Sequence, residues 1–134
     1  MRVSFNVIGR PAPQGSKNQF GAESSPHLKP WRVDVKYAAQ KAAPADWDRE
    51  GAFEVDVVFC FVQPKSHHTS KGQPSCSWTK FPVGRNKGDI DKLCRSTLDA
   101  LTGVLFHDDA QVVSLKAQRQ WSDTTGASIS IQHL

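Results

Sequence analysis

The chemistry in this chain is concentrated in residues 88–113, GDIDKLCRSTLDALTGVLFHDDAQVV. Asp89 and Asp91 stand two apart, just ahead of an apolar helical repeat, and a second pair, Asp108-Asp109, follows a short apolar run. Within a helix, positions i and i+2 point about 200° apart, so two such acids cannot share a ligand there. In extended or turn backbone before the helix they can face the same way. Carboxylate oxygens are what a hard Mg²⁺ or Mn²⁺ ion requires, and gathering acids without a counterion is repulsive. The competing structural reading is helix capping and compensation of the helix dipole by Asp89 and Asp91. Arg95, four residues after Asp91 on the polar side of the helix, has two possible partners: Asp91 itself, or a phosphate at the metal.

The elements that must position these acids follow from periodicity. Residues 2–8 alternate, with Val3, Phe5 and Val7 on one side, as a strand does. Residues 9–30 are crowded with Gly and Pro and read as a loop without helix. Trp31, Val35, Ala38, Ala39 and Ala42 then mark one face of a helix that Pro44 ends. Residues 52–62 alternate and turn apolar on both faces in their second half, the pattern of a central strand. Ile90, Leu93, Cys94, Thr97, Leu98 and Leu101 define the second helix, with Gly103 as a left-handed stop. Residues 111–121 and 127–133 both alternate, and the short polar link between them predicts a C-terminal hairpin. The expected fold is α/β (α+β): a small mixed β-sheet covered by two helices in the order β-α-β-α-β-β, one domain over residues 1–134.

Charge supports a polyanionic partner once it is divided by position. The 134 residues carry 17 Lys and Arg against 13 Asp and Glu. Residues 1–88 hold 13 bases and 7 acids, whereas residues 89–134 hold 4 bases and 6 acids. One part is suited to gripping phosphates and the other to holding a metal. Lys17, Lys80, Arg85 and Lys87 are the candidates for phosphate contact, and Trp78 and Phe81 for stacking on a splayed base. No stretch is long and apolar enough for a membrane span, and the N-terminus is too polar for a signal peptide. Three cysteines without a CxxC pair read as reduced thiols of a cytoplasmic protein. His67, His68 and Cys76 match no zinc spacing. His107 is a candidate general base that a metal-activated water makes unnecessary. Asp99 reads as a structural, salt-bridged acid, and Trp31, Trp47 and Trp121 as core or interface.

Taken together, Asp89-Ile90-Asp91-Lys92-Leu93, then Leu98-Asp99-Ala100-Leu101-Thr102-Gly103, then Asp108-Asp109-Ala110-Gln111-Val112-Val113 resemble the core of the RusA family of Holliday junction resolvases. That core reads D-[IL]-D-N-L, a helix with D-A-L, then D-D-x-Q-[IV]. Pro13-Gln14-Gly15-Ser16-Lys17 in the first loop agrees in layout. The resemblance implies a homodimeric, Mg²⁺-dependent endonuclease of DNA recombination and repair. Such an enzyme nicks four-way junctions symmetrically, with Mn²⁺ able to substitute. By the same resemblance Asp89, Asp91 and Asp109 are the metal ligands, and Asp108 is a supporting or substitute ligand. Arg95 stands where the family has a functional lysine; it keeps the charge without the ability to give up a proton. Two alternatives share these residues: a broader flap or fork nuclease, and a branched-DNA-binding protein with weak or no cleavage. The Lys-to-Arg exchange favours the latter, and the intact acids oppose it.

Overall fold

The computed structural model describes residues 1–15, 26–63, 81–83 and 88–134. In chain order these form β1 (Arg2–Ile8), α1 (Leu28–Ala42), β2 (Phe53–Phe61), α2 (Ile90–Leu101), a 3-10 turn (Asp109–Gln111), β3 (Val112–Trp121) and β4 (Gly126–His133). The four strands make one mixed sheet in the order β1-β4-β2-β3, with α1 and α2 packed against each other on one face. This is the mixed sheet and helix pair expected from the repeats in the sequence.

β2 is central because Val55, Val57 and Phe59 supply the core face while Val58 and Cys60 keep the opposite face partly apolar. It pairs parallel with β3 and antiparallel with β4, so α2 is the crossover of a β2-α2-β3 unit. The expected C-terminal hairpin is therefore incorrect: β3 and β4 are not neighbours, and β2 lies between them. The pattern misled because both strands alternate and the link is short. Four linking residues still reach across one strand, a span of about 10 Å, and Ser122 N–H donates to Phe61 C=O at 2.8 Å as the chain passes the end of β2. β4 also pairs antiparallel with β1. The expected loop over residues 9–30 also ends too late, since α1 starts at Leu28 and holds Pro30 in its first turn. A helix does not need that position's N–H, so proline costs little there.

Trp31, Val35 and Ala39 of α1 meet Leu93 and Leu101 of α2 over Phe53, Val55, Val57, Phe59, Ile129 and Ile131. The Trp31 indole N–H donates to Thr97 Oγ1 at 3.2 Å, which satisfies both buried polar groups. Trp47 stacks on Phe53 and its indole N–H reaches Leu105 C=O, so it belongs to the core as expected. α2 is buried on a wider arc than its apolar repeat indicates, because Ser96 and Ala100 are also buried. The segment ahead of the first undescribed stretch explains this. Ser96 Oγ donates to Ala12 C=O at 2.6 Å, and Gln14 N–H donates to Lys92 C=O at 3.0 Å. Gly103 has φ +88 just past α2, the left-handed stop that the sequence indicated.

Candidate active site: the start of α2 and the turn after it

Asp89 is the N-cap residue of α2, with extended backbone, yet its side chain makes no capping hydrogen bond. Its carboxylate instead faces Lys92 Nζ at 3.5 Å, an exposed pair of the kind that contributes little. Asp91 lies in the first turn, is exposed, and has no ion pair with a described residue. Its charge is felt at the Cys94 thiol, which burial and then Asp91 push above the usual range. The capping reading thus accounts for the positions of both acids but not for what their carboxylates do.

The backbone that aims Asp89 is fixed from two sides. Gly88 has φ +84, and a Cβ there would stand 3.0 Å from Pro13 Cγ. Its C=O accepts a 2.7 Å hydrogen bond from Arg119 Nη1 on β3. Gly88→Ala is accordingly expected to cost about 1–2 kcal/mol from the left-handed backbone alone. A lowered urea midpoint at unchanged m-value would register that loss, and an unchanged midpoint would remove Gly88 from this account.

At the other end of the segment, Asp108 caps the 3-10 turn: its Oδ1 accepts from Ala110 N–H at 2.9 Å. Gln111 completes the capping box and does more. Its Oε1 accepts from the N–H groups of His107 (2.8 Å) and Asp108 (2.9 Å). Its Nε2 donates to the C=O groups of Arg49 (2.8 Å) and Gly51 (2.9 Å). One side chain therefore ties the turn to the chain entering β2. The Ala110 N–H, and then Asp109, hold the Asp108 carboxyl below the usual carboxylate range. Asp109 is pushed the other way by desolvation, by hydrogen bonding and repulsion from Asp108, and by Asp99, with Arg95 partly offsetting them. The DDxQ signature thus divides its labour: Asp108 and Gln111 build the turn, and Asp109 is the carboxylate it presents.

The sign of the Asp109 shift makes a prediction. A carboxyl whose folded pKa is raised opposes folding once the pH exceeds its unfolded value, because the folded state then holds a proton the unfolded chain has released. Asp109→Asn is expected to raise the melting temperature in EDTA at pH 7, with the gain vanishing as the pH falls below about 4. A lower melting temperature at pH 7 would contradict the repulsion described above.

Arg95 is exposed and forms no ion pair with Asp91 among the described residues; the charge it is close enough to influence is that of Asp109. Asp99 is structural, as expected: it accepts from Gln14 Nε2 at 2.6 Å and pairs with Arg32 at 3.3 Å, while Arg32 also donates to Gln14 Oε1. His107 is turned to Glu50, 3.0 Å away. Lys17, Lys80, Arg85, Lys87 and Trp78, like His67, His68 and Cys76, lie outside the described residues. Phe81 is described and exposed. Arg119 and Gln14 were not foreseen as contributors. Arg119 has no sequence signal, and Gln14 stands out only as part of the Pro-Gln-Gly-Ser-Lys segment.

A surface cavity of about 570 Å³ lies at the ends of β1 and β2 beside Arg10 and Thr124 and includes none of these acids. The acids lie instead on an open surface, accessible to a phosphate backbone too large to enter a pocket. Among the described residues no group of three or more His, Cys, Asp or Glu stands together to hold a metal ion. The donors fit Mg²⁺ in chemistry, as hard, exposed carboxylates of which Asp89 and Asp91 make no hydrogen bond that capping would require. Among the described residues no helix is long and apolar enough to cross a membrane.

Over 137 aligned residues the chain is 24% identical to the uncharacterized protein YqaN of Bacillus subtilis (strain 168), a match that covers 98% of this chain and 96% of that protein. The family model described as Endodeoxyribonuclease RusA matches residues 5–132, from β1 to the end of β4, with both acidic groups inside it. The chain belongs to the RusA endodeoxyribonuclease family.

Proposed function

We infer that the protein is a Mg²⁺-dependent endonuclease that resolves four-way DNA junctions by paired, symmetric nicks. It acts as a homodimer in the cytoplasm, in recombination and repair. The observation that carries this reading is the state of the acids at the start of α2. Asp89 holds a capping position without capping, and Asp91 is exposed and unpaired with any described residue. Within a family of endodeoxyribonucleases, such carboxylates are suited to a divalent cation.

Asp89, Asp91 and Asp109 would hold the ion, with Mn²⁺ as an acceptable substitute. When bound, it supplies Lewis-acid polarisation of the scissile phosphate and a more acidic water. The remaining work belongs to the chain. Gly88, Arg119 and the N-cap geometry orient Asp89; Asp108 and Gln111 hold out Asp109; Arg95 offers a permanent positive charge to the phosphoryl oxygens as negative charge grows on them. Arg95 cannot act as a proton donor near neutral pH, so the leaving oxygen takes its proton from water or another group. Two copies related by a two-fold axis would place one site on each of two opposing strands.

The test is incubation with labelled four-way junction, replication fork and linear duplex of matched sequence, each with Mg²⁺ and with EDTA. Paired nicks at symmetric positions in the junction, dependent on Mg²⁺, are expected. Junction binding without nicking would reject the enzymatic reading, and equal cleavage of fork and junction would replace resolution with a broader nuclease activity.

A further inference from the structure

α1 has a buried face made by Leu28, Trp31, Val35 and Ala39. On the arc turned away from that core, at about 100° per residue, lie Lys29, Val33, Lys36, Tyr37, Gln40 and Lys41, all exposed, with Lys36 on the flank beside Asp99 and Lys41 on the flank beside β1. This helix has four basic residues and a single acid, Asp34, which sits against Gly9 towards β1. Arg32 is committed to Asp99 and Gln14. Lys29, Lys36 and Lys41 form no ion pair with a described acid, and Lys41 lies 5.2 Å from the Tyr37 ring centre. Lys29 and Lys36 are two turns apart on one stripe, a spacing of about 10 Å.

The stripe is joined to the acids by a continuous surface. Asp91, Arg95 and Asp99 follow at i, i+4 and i+8 along α2, about 6 Å per step. Asp99 is bridged to Arg32, and Lys29 and Lys36 flank Arg32 one turn to either side. The Arg32 guanidinium balances the Asp99 carboxylate, so nothing on this path repels a polyanion once it leaves the acids. We propose that the exposed flank of α1 beside α2, through Lys29 and Lys36, is a track for the phosphate backbone of one duplex arm of the DNA whose scissile phosphate lies at α2. This rests on the nuclease reading for its partner and adds a surface that the basic loops alone do not provide. Contacts of this kind are sequence-independent: they position the DNA and make its binding salt-dependent.

The test measures binding without cleavage: labelled four-way junction is titrated with the full chain in EDTA at several NaCl concentrations. Lys29→Gln/Lys36→Gln is compared with wild type and with Arg2→Gln/Lys116→Gln, which removes the same charge from the helix-free face of the sheet. The α1 variant is expected to bind at least about tenfold more weakly at 0.1 M salt. Its slope of log K against log salt should be shallower by about 2, at roughly 0.9 per lost phosphate contact. The sheet-face variant should match wild type, and all three should melt alike because the substituted side chains are exposed. Equal affinity and slope in the α1 variant, with wild type binding tightly, would overturn the track and leave the nuclease reading intact. An equal loss in both variants would reduce the effect to net charge and overturn it as well. Failure of wild type to bind any DNA would overturn both.

Discussion

Asp91→Asn is expected to reduce Mg²⁺-dependent junction nicking by at least about a thousandfold, near the top of the range for removing one charge-stabilising group from an active site. Junction affinity in EDTA should stay at the wild-type level or rise. The substitution keeps the shape of an exposed side chain that no described residue pairs with, so folding has little to lose. It removes a negative charge from the surface that meets the phosphates, so binding in the absence of metal has something to gain. Nicking and binding kinetics on the same preparation separate the two effects. Undiminished nicking would dismiss Asp91 from the site, and a parallel loss of binding and melting temperature would make it structural.

Gln111→Ala is expected to lower both stability and nicking. Its side chain makes hydrogen bonds to His107, Asp108, Arg49 and Gly51, and truncation leaves two N–H and two C=O groups to find water. Partial exposure allows some of that recovery, so the expected cost is about 1–3 kcal/mol, or roughly 5–10 °C in melting temperature for a domain of this size. Nicking should fall along with stability, because the turn that presents Asp109 is no longer tied to the entry of β2. Gln111→Glu is the informative companion: nearly isosteric, it can still accept from His107 and Asp108 but cannot donate to Arg49 and Gly51. It should therefore be destabilised almost as much as the alanine variant. Wild-type melting behaviour in the glutamate variant would show that the tie to β2 contributes little.

Most of the elements were legible in the sequence, because they depend on local patterns, and the spacing of the acids singled them out as candidates. The repeat from Ile90 to Leu101 and the alternation in β2 each follow from burial of one face, and both appear as expected. Strand order is not local. β3 and β4 alternate like a hairpin, and only the doubly apolar end of β2 hinted that another strand would separate them. The burial of Ser96 and Ala100 was illegible for a similar reason: it depends on residues 12–14, more than 80 positions away in the chain. Among the candidate site residues, the sequence marked Asp108 and Asp109 as equivalent neighbours. Only the turn distinguishes them, by binding one to Ala110 and leaving the other's carboxyl raised by desolvation and then by its neighbour. Arg119 lies 30 residues beyond Asp89 with no motif around it, and only the parallel pairing of β2 with β3 brings it to Gly88.

The acids at the two ends of this segment, which do not stand together as a cluster in the structure, are expected to converge on one divalent cation. Titration of the intact protein with Mn²⁺, followed by the loss of the free-ion paramagnetic resonance signal, addresses it without reference to cleavage. A saturable site on the wild-type chain, lost both in Asp91→Asn and in Asp109→Asn, is the expected result. Retention of wild-type Mn²⁺ affinity in either variant would contradict it.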